Sequence, residues 1–167
     1  MLYVIQTLAG DEDRLLTMCR KAISFENEEA FVPMSEMIKR VKGEDVTVRA
    51  VLFPGYVFFR TENALELFFR LKKVPYLTKL LRMEEELLSL SKEEENTIEQ
   101  LMKEDYVIGM SKGLIENDRI RITSGPLKDF TGEILKIDRH KKTAILGIMF
   151  LGEKRSVKVG LEIVRKA

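Results

Sequence analysis

Few residues in this 167-residue chain could do covalent or metal chemistry, and their spacing assembles no catalytic set. Cys19 is the single cysteine. It sits among Leu15, Leu16, Met18, Ala22 and Ile23, which recur at helical spacing, so it reads as a small core residue. No second cysteine or histidine exists to complete a conventional nucleophile pair. His140, the single histidine, stands between Arg139 and Lys141-Lys142 in an expected turn, where contact with a surface or with nucleic acid suits it better than catalysis. The runs Glu84-Glu85-Glu86 and Glu93-Glu94-Glu95 fall in or beside helical stretches and read as solvated faces rather than paired catalytic carboxylates. Phosphate-loop, dinucleotide-binding, H-E-x-x-H, C-x-x-C and G-x-S-x-G patterns are all lacking. The expectation is a chain that is not an enzyme, with no cofactor and no metal.

What remains is charge and aromatic surface. The net charge of +1 hides an asymmetry: Glu116 to Ala167 carries 12 Lys/Arg against 7 Asp/Glu, and the preceding part 16 against 20. A small basic C-terminal unit attracts an anion such as nucleic acid, although an ordinary solvated surface accounts for the same charge. Farther upstream, Phe53-Pro54-Gly55-Tyr56 combines a fixed φ at Pro54, a permissive Gly55 and two aromatics, the minimal recipe for a kinked entry into a strand.

The elements that must position these residues follow from periodicity. Tyr3 to Thr7 reads as a strand and Asp13 to Ser24 as a helix, with Asp11 able to cap it. Ile38 to Leu52 reads as a hairpin turning at Lys42-Gly43-Glu44-Asp45, with Lys39, Arg40, Lys42 and Arg49 exposed. Asn63 with Glu66, and Ser91 with Glu94, are capping boxes that open two further helices; Pro75 is expected to end the first. From Arg119 onward the pattern is all β: Arg119–Thr123, Gly132–Ile137, Thr143–Met149, Arg155–Val159 and Ile163–Arg165. The fold class is therefore α+β. An N-terminal domain with helices over an antiparallel sheet occupies residues 1–105. A linker follows over 106–118, parts of it apolar enough to dock, and then a small all-β barrel over 119–167. No apolar run is long enough to span a bilayer and no signal peptide is evident, so a monomer in the cytoplasm, without membrane attachment, is expected.

Three stretches carry a family resemblance. Leu2-Tyr3-Val4-Ile5-Gln6-Thr7 with Gly10-Asp11-Glu12 resembles the start of an NGN domain, and Leu52-Phe53-Pro54-Gly55-Tyr56-Val57-Phe58 is similar to that domain's most characteristic segment. Arg119 through Asp138, with Gly125 and Gly132 in an alternating pattern, resembles a KOW motif. The chain is thus identified as a member of the NusG family over essentially its whole length. The resemblance implies an NGN domain joined to a five-strand KOW barrel. It implies that the NGN domain binds bacterial RNA polymerase at the clamp helices of the largest subunit, through Phe53, Pro54, Tyr56 and Phe58. Strand alternation leaves about half of that cluster to the core. It also implies that the KOW domain recruits Rho, a ribosomal protein or RNA. Lys39, Arg40, Lys42, Lys72 and Lys73 are candidates for a side facing non-template DNA.

The chain departs from the family at two points. Leu2 stands where members commonly carry Trp. Leu151-Gly152-Glu153-Lys154-Arg155-Ser156-Val157-Lys158-Val159 replaces an aromatic protein-contact segment with positive charge. The second departure resembles the LoaP-type antiterminators, and it points to a nascent RNA hairpin held by Lys128, Arg139, His140, Lys141, Lys142, Lys154, Arg155 and Lys158. The expectation is processive antitermination with RNA engagement. The alternative is a housekeeping NusG bridging polymerase to Rho or the ribosome.

Overall fold

A computed structural model describes residues 1–103 and 105–165; the end of the expected barrel at 166–167 lies outside the described residues. The strands are β1 (Leu2–Gln6), β2 (Glu29–Phe31), β3 (Met34–Val41), β4 (Glu44–Val51), β5 (Tyr56–Arg60), β6 (Leu88–Ser89), β7 (Val107–Ile108), β8 (Ser111–Glu116), β9 (Arg119–Ser124), β10 (Glu133–Asp138), β11 (Thr143–Phe150) and β12 (Glu153–Arg165). The helices are α1 (Glu12–Arg20), α2 (Ala64–Lys72), α3 (Pro75–Leu80) and α4 (Lys92–Leu101). No helix among the described residues is long and apolar enough to cross a membrane. The chain divides into two compact units, Met1–Val32 with Phe53–Glu95, and Pro33–Leu52 with Asn96–Ala167.

The first unit is built on a four-stranded sheet in the order β2-β5-β1-β6. Strand alternation gives it two apolar faces. Ile5, Ala30, Val57 and Phe59 pack with Leu15, Leu16 and Cys19 of α1, with Leu67, Phe68 and Leu71 of α2, and with Leu77 of α3. Leu2, Val4, Phe31 and Phe58 point the other way and are also buried. A strand apolar on both sides loses the alternation that marks a half-exposed one, which is why Tyr56–Phe59 is a continuous buried run. Cys19 is fully buried, and burial pushes its thiol up to about 12, so it packs as a core residue.

Local signals set the helix ends. Ser91 exchanges hydrogen bonds with Glu94, completing that box; Asn63 accepts from the Glu66 N–H as a cap, but its own N–H donates to the Thr61 hydroxyl, and the Glu66 carboxylate accepts from the Asn63 side-chain amide instead. Two more expectations need correcting. The Asp11 side chain makes no cap bond; the Glu12 carboxylate reaches back instead. Pro75 does not merely end a helix. It occupies the first turn of α3, where its missing N–H leaves no unsatisfied donor.

The second unit holds a five-stranded sheet in the order β10-β11-β12-β8-β9 and a three-stranded sheet in the order β4-β3-β7. The β3–β4 hairpin closes on Lys42 (φ 52°) and Gly43 (φ 82°), a two-residue turn whose left-handed backbone matches the strand twist. Residues 106–118, expected as a linker, carry β7 and β8, and β8 joins the five-stranded sheet. The two last expected strands are one. β12 runs 13 residues, pairing antiparallel with β11 up to Gly160 and parallel with β8 from Leu161. Gly160 sits at this switch because a Cβ there would collide with Met110 and with the Glu36 carbonyl of β3. The Ser35 hydroxyl donates to the Lys158 carbonyl at 2.9 Å, two residues earlier on β12.

Candidate functional site: a buried-carboxylate corner and a basic turn

The kink that the sequence places at Phe53-Pro54-Gly55-Tyr56 is held by a carboxylate. Gly55 adopts φ 88°, and a Cβ there would lie 2.9 Å from the Thr7 carbonyl, so the corner requires glycine. Its carbonyl accepts from the Thr7 N–H at 2.7 Å, and its N–H donates to Glu12 Oε1, also at 2.7 Å. The Gly10 N–H donates to the same carboxylate at 3.0 Å. Burial alone would raise the Glu12 carboxyl. The N–H groups of Gly10, Gly55 and Glu12 itself outweigh it and hold the group below its ordinary value. Glu12 thus ties the start of α1 to the corner. The sequence shows it only as first-turn negative charge; its spacing from Gly10 is the local signal of this role.

Of the four residues expected at the corner surface, Pro54 is exposed. Phe53, Tyr56 and Phe58 are 3%, 5% and 0% exposed. Phe58 packs on Phe53 and on Phe31, each with ring centroids 5.7 Å apart. The structure therefore sets a rigid proline on an aromatic support. A second buried carboxylate fixes the segment before β2. Glu28 receives both Arg70 terminal nitrogens, at 2.5 and 2.9 Å, and the Thr61 hydroxyl at 3.2 Å. Burial opposes its ionisation, but Arg70, the Ser24 N–H and Thr61 hold it below its ordinary value.

The eight basic residues expected to hold RNA are distributed over several places. Lys128 is exposed on a 3₁₀ turn, Pro126–Asp129, beside β8 and β9. Arg139, His140 and Lys141 are exposed in the β10–β11 turn. That turn is shaped by Asp138, whose carboxylate accepts from the Lys141 N–H at 2.9 Å and is thereby held below its ordinary value. Lys142, half-buried, contacts Asp45 Oδ2 at 3.2 Å and Glu162 Oε1 at 3.8 Å. Lys154 and Arg155 lie at the far end of β11, because Met149 and Ile148 pair with them while Thr143 pairs with Gly160. Eight strand residues separate the two ends by about 23 Å. Lys154 forms an ion pair with Glu133, and Arg155 is half-buried over the Phe150 ring at 5.1 Å. Lys158 is exposed on β12.

The residues expected to face DNA are also divided. Lys39, Arg40 and Lys42 are exposed on the β3–β4 hairpin of the second unit. Lys72, half-buried, and Lys73, exposed, lie at the C-terminal end of α2 in the first.

The fold defines a class: an α+β domain with a proline corner, joined to an all-β module. Comparison with known proteins makes it specific. The family model described as "Transcription termination factor nusG" matches residues 2–99, more than half the chain, and the KOW motif matches residues 116–146. The chain belongs to the NusG family. Among curated relatives, the transcription termination/antitermination protein NusG of Pasteurella multocida is 23% identical over 98% of this chain and 93% of its own length. The protein of that name from Thermus thermophilus is 24% identical over 99% and 97%. A solved structure titled "Domain interaction in Thermotoga maritima NusG" aligns with 96% of this chain and 92% of its own at 19% identity, with a TM-score of 0.49.

Proposed function

We propose that this protein is a transcription elongation factor that binds RNA polymerase through residues 1–105 and promotes processive antitermination, while the basic module over 119–167 engages nascent RNA. Membership of the NusG family supports a transcription factor role. The observation that carries the polymerase contact is the Pro54 corner: one exposed proline whose backbone is fixed by Glu12 and Thr7 and backed by Phe53 and Phe58. Such a surface loses little entropy on docking, because its conformation is already chosen. In this reading Pro54 touches the clamp helices, and Phe53, Tyr56 and Phe58 shape the corner from beneath.

The test is transcription with purified bacterial polymerase. The full-length chain binds the core enzyme and raises read-through at terminators, more on templates carrying its own leader RNA than on unrelated ones. Binding without any leader preference, together with capture of Rho or a ribosomal protein, supports the second reading of a bridging housekeeping factor. That reading is favoured by the relatives' shared name, which includes termination. No binding to polymerase contradicts both.

A further inference from the structure

The sequence assigns the basic hairpin and the basic β-module to two different nucleic acids. Inside the second unit, contacts bring the two together. Three contacts align β3 with β12. Ser35 meets the Lys158 carbonyl, the Glu36 carbonyl closes on Gly160, and Asp45 near the hairpin tip meets Lys142, which also contacts Glu162. Moving from residue 35 toward the tip therefore moves from residue 158 toward the β10–β11 turn. Arg40 pairs across the hairpin with Asp45, so its backbone is one strand away from the residue that Lys142 holds. The hairpin tip, with exposed Lys39, Arg40 and Lys42, thereby lies near the β10–β11 turn that carries Arg139 and Lys141, and Lys158 is exposed on β12. Among the described residues, none of these six side chains makes an ion pair.

The other end of β11 is different. Lys154 is paired with Glu133, and Arg155 lies half-buried over Phe150.

We propose that the RNA site of this protein is a composite of the β3–β4 hairpin tip and the β10–β11 turn, held together by the packing of β3 on β12, and that one RNA phosphate backbone runs across both. The inference rests on the RNA engagement proposed above and deepens it: it moves Lys39, Arg40 and Lys42 from DNA to RNA and removes Lys154 from the site. RNA is the occupant because the β-module half of the surface is the half assigned to nascent RNA, and the hairpin continues it. Asp45 acts against binding. Its carboxylate holds Lys142 and places negative charge where phosphate would lie.

The test titrates the full-length protein with an RNA stem–loop from the leader of its own operon, and with a DNA duplex of the same sequence, at several salt concentrations. The pairs Lys39→Ala with Arg40→Ala, and Arg139→Ala with Lys141→Ala, each weaken RNA binding about tenfold near physiological salt. Each also flattens the log–log salt slope by about 0.7–0.9 for every phosphate no longer neutralised. Lys154→Ala changes affinity less than about twofold, since its charge is already paired. Asp45→Asn tightens binding severalfold, a gain that misfolding cannot imitate.

RNA binding that survives the hairpin pair, or that Lys154→Ala weakens as much as either pair does, overturns the composite site while leaving RNA engagement standing. Tighter binding to the duplex, with the same variants weakening it, overturns RNA as the occupant. Absence of any RNA binding by the unaltered chain removes the proposed RNA engagement and this site with it.

Discussion

The Pro54–Gly55 corner and the β10–β11 turn are both tight turns bearing exposed residues, and they are fixed in opposite ways. The corner is held from inside, by a buried carboxylate that accepts backbone N–H groups and by aromatic rings stacked beneath it. The basic turn is held from outside, by Asp138 accepting from the Lys141 N–H and by the surface ion pair of Lys142. A buried carboxylate with several donors is costly to disturb, because removing it strands polar backbone. Solvated pairs are easily altered and respond to salt. The first arrangement suits a surface that must present one shape, and the second suits a surface that must adapt to a flexible polyanion.

The largest effect is expected at Phe58. Phe58→Ala should cost about 3–5 kcal/mol in chemical denaturation, as a fully buried aromatic does. A variant of normal stability that still failed to bind polymerase would make Phe58 an interface residue instead. Glu12→Gln comes next, at about 1.5–3 kcal/mol for lost charge-assisted bonds to Gly10 and Gly55.

The Glu12 variant also sharpens the pH dependence. Glu12 and Glu28 have folded pKa values below the ordinary carboxyl value of 4.5. The unfolded chain then binds more protons near that pH. Their contribution is complete above it and is lost as pH falls through the lower folded values. Melting followed as a function of pH should show a steep loss in acid for the unaltered chain and a shallower one for Glu12→Gln.

Gly160→Ala probes the second region, where a Cβ must displace Met110 and the Glu36 carbonyl. It should cost about 1–3 kcal/mol by denaturation and should weaken RNA binding by the hairpin half of the proposed site. The smallest effect belongs to Lys154→Ala, under about 1 kcal/mol, since its pair with Glu133 is exposed.

The sequence displayed what depends on neighbours along the chain. The helix caps at Asn63 and Ser91, the Lys42-Gly43 turn and the core role of Cys19 are each legible from a few adjacent residues, and the structure contains them. The aromatic corner was legible as a motif, but the exposure of its members was not. Tyr56 and Phe58 sit on a strand covered on both faces, and only the pairing of β5 with β1 and β2 creates those faces. The strand β8 was hidden because Gly113 and the apolar residues around it read as a docked connection. Its partners, β12 and β9, lie later in the chain. The basic residues were legible as charge, but their division between the two ends of β11 follows from register. The contact of Asp45 with Lys142 was illegible because the two lie 97 positions apart, and of the Glu12 bonds only the one to Gly10 had a local signal, since Gly55 lies 43 positions away.

The proposed docking on polymerase rests on Pro54, the exposed residue of the corner. The measurement is the affinity of the full-length chain for purified bacterial core RNA polymerase, for the unaltered protein and for Pro54→Asp, with melting curves for both. Pro54→Asp should leave the fold within about 1 kcal/mol, the entropic share of one proline. It should weaken polymerase binding at least about tenfold, the loss expected when one anchor leaves an interface. Equal affinity for the two folded proteins would contradict docking through the corner.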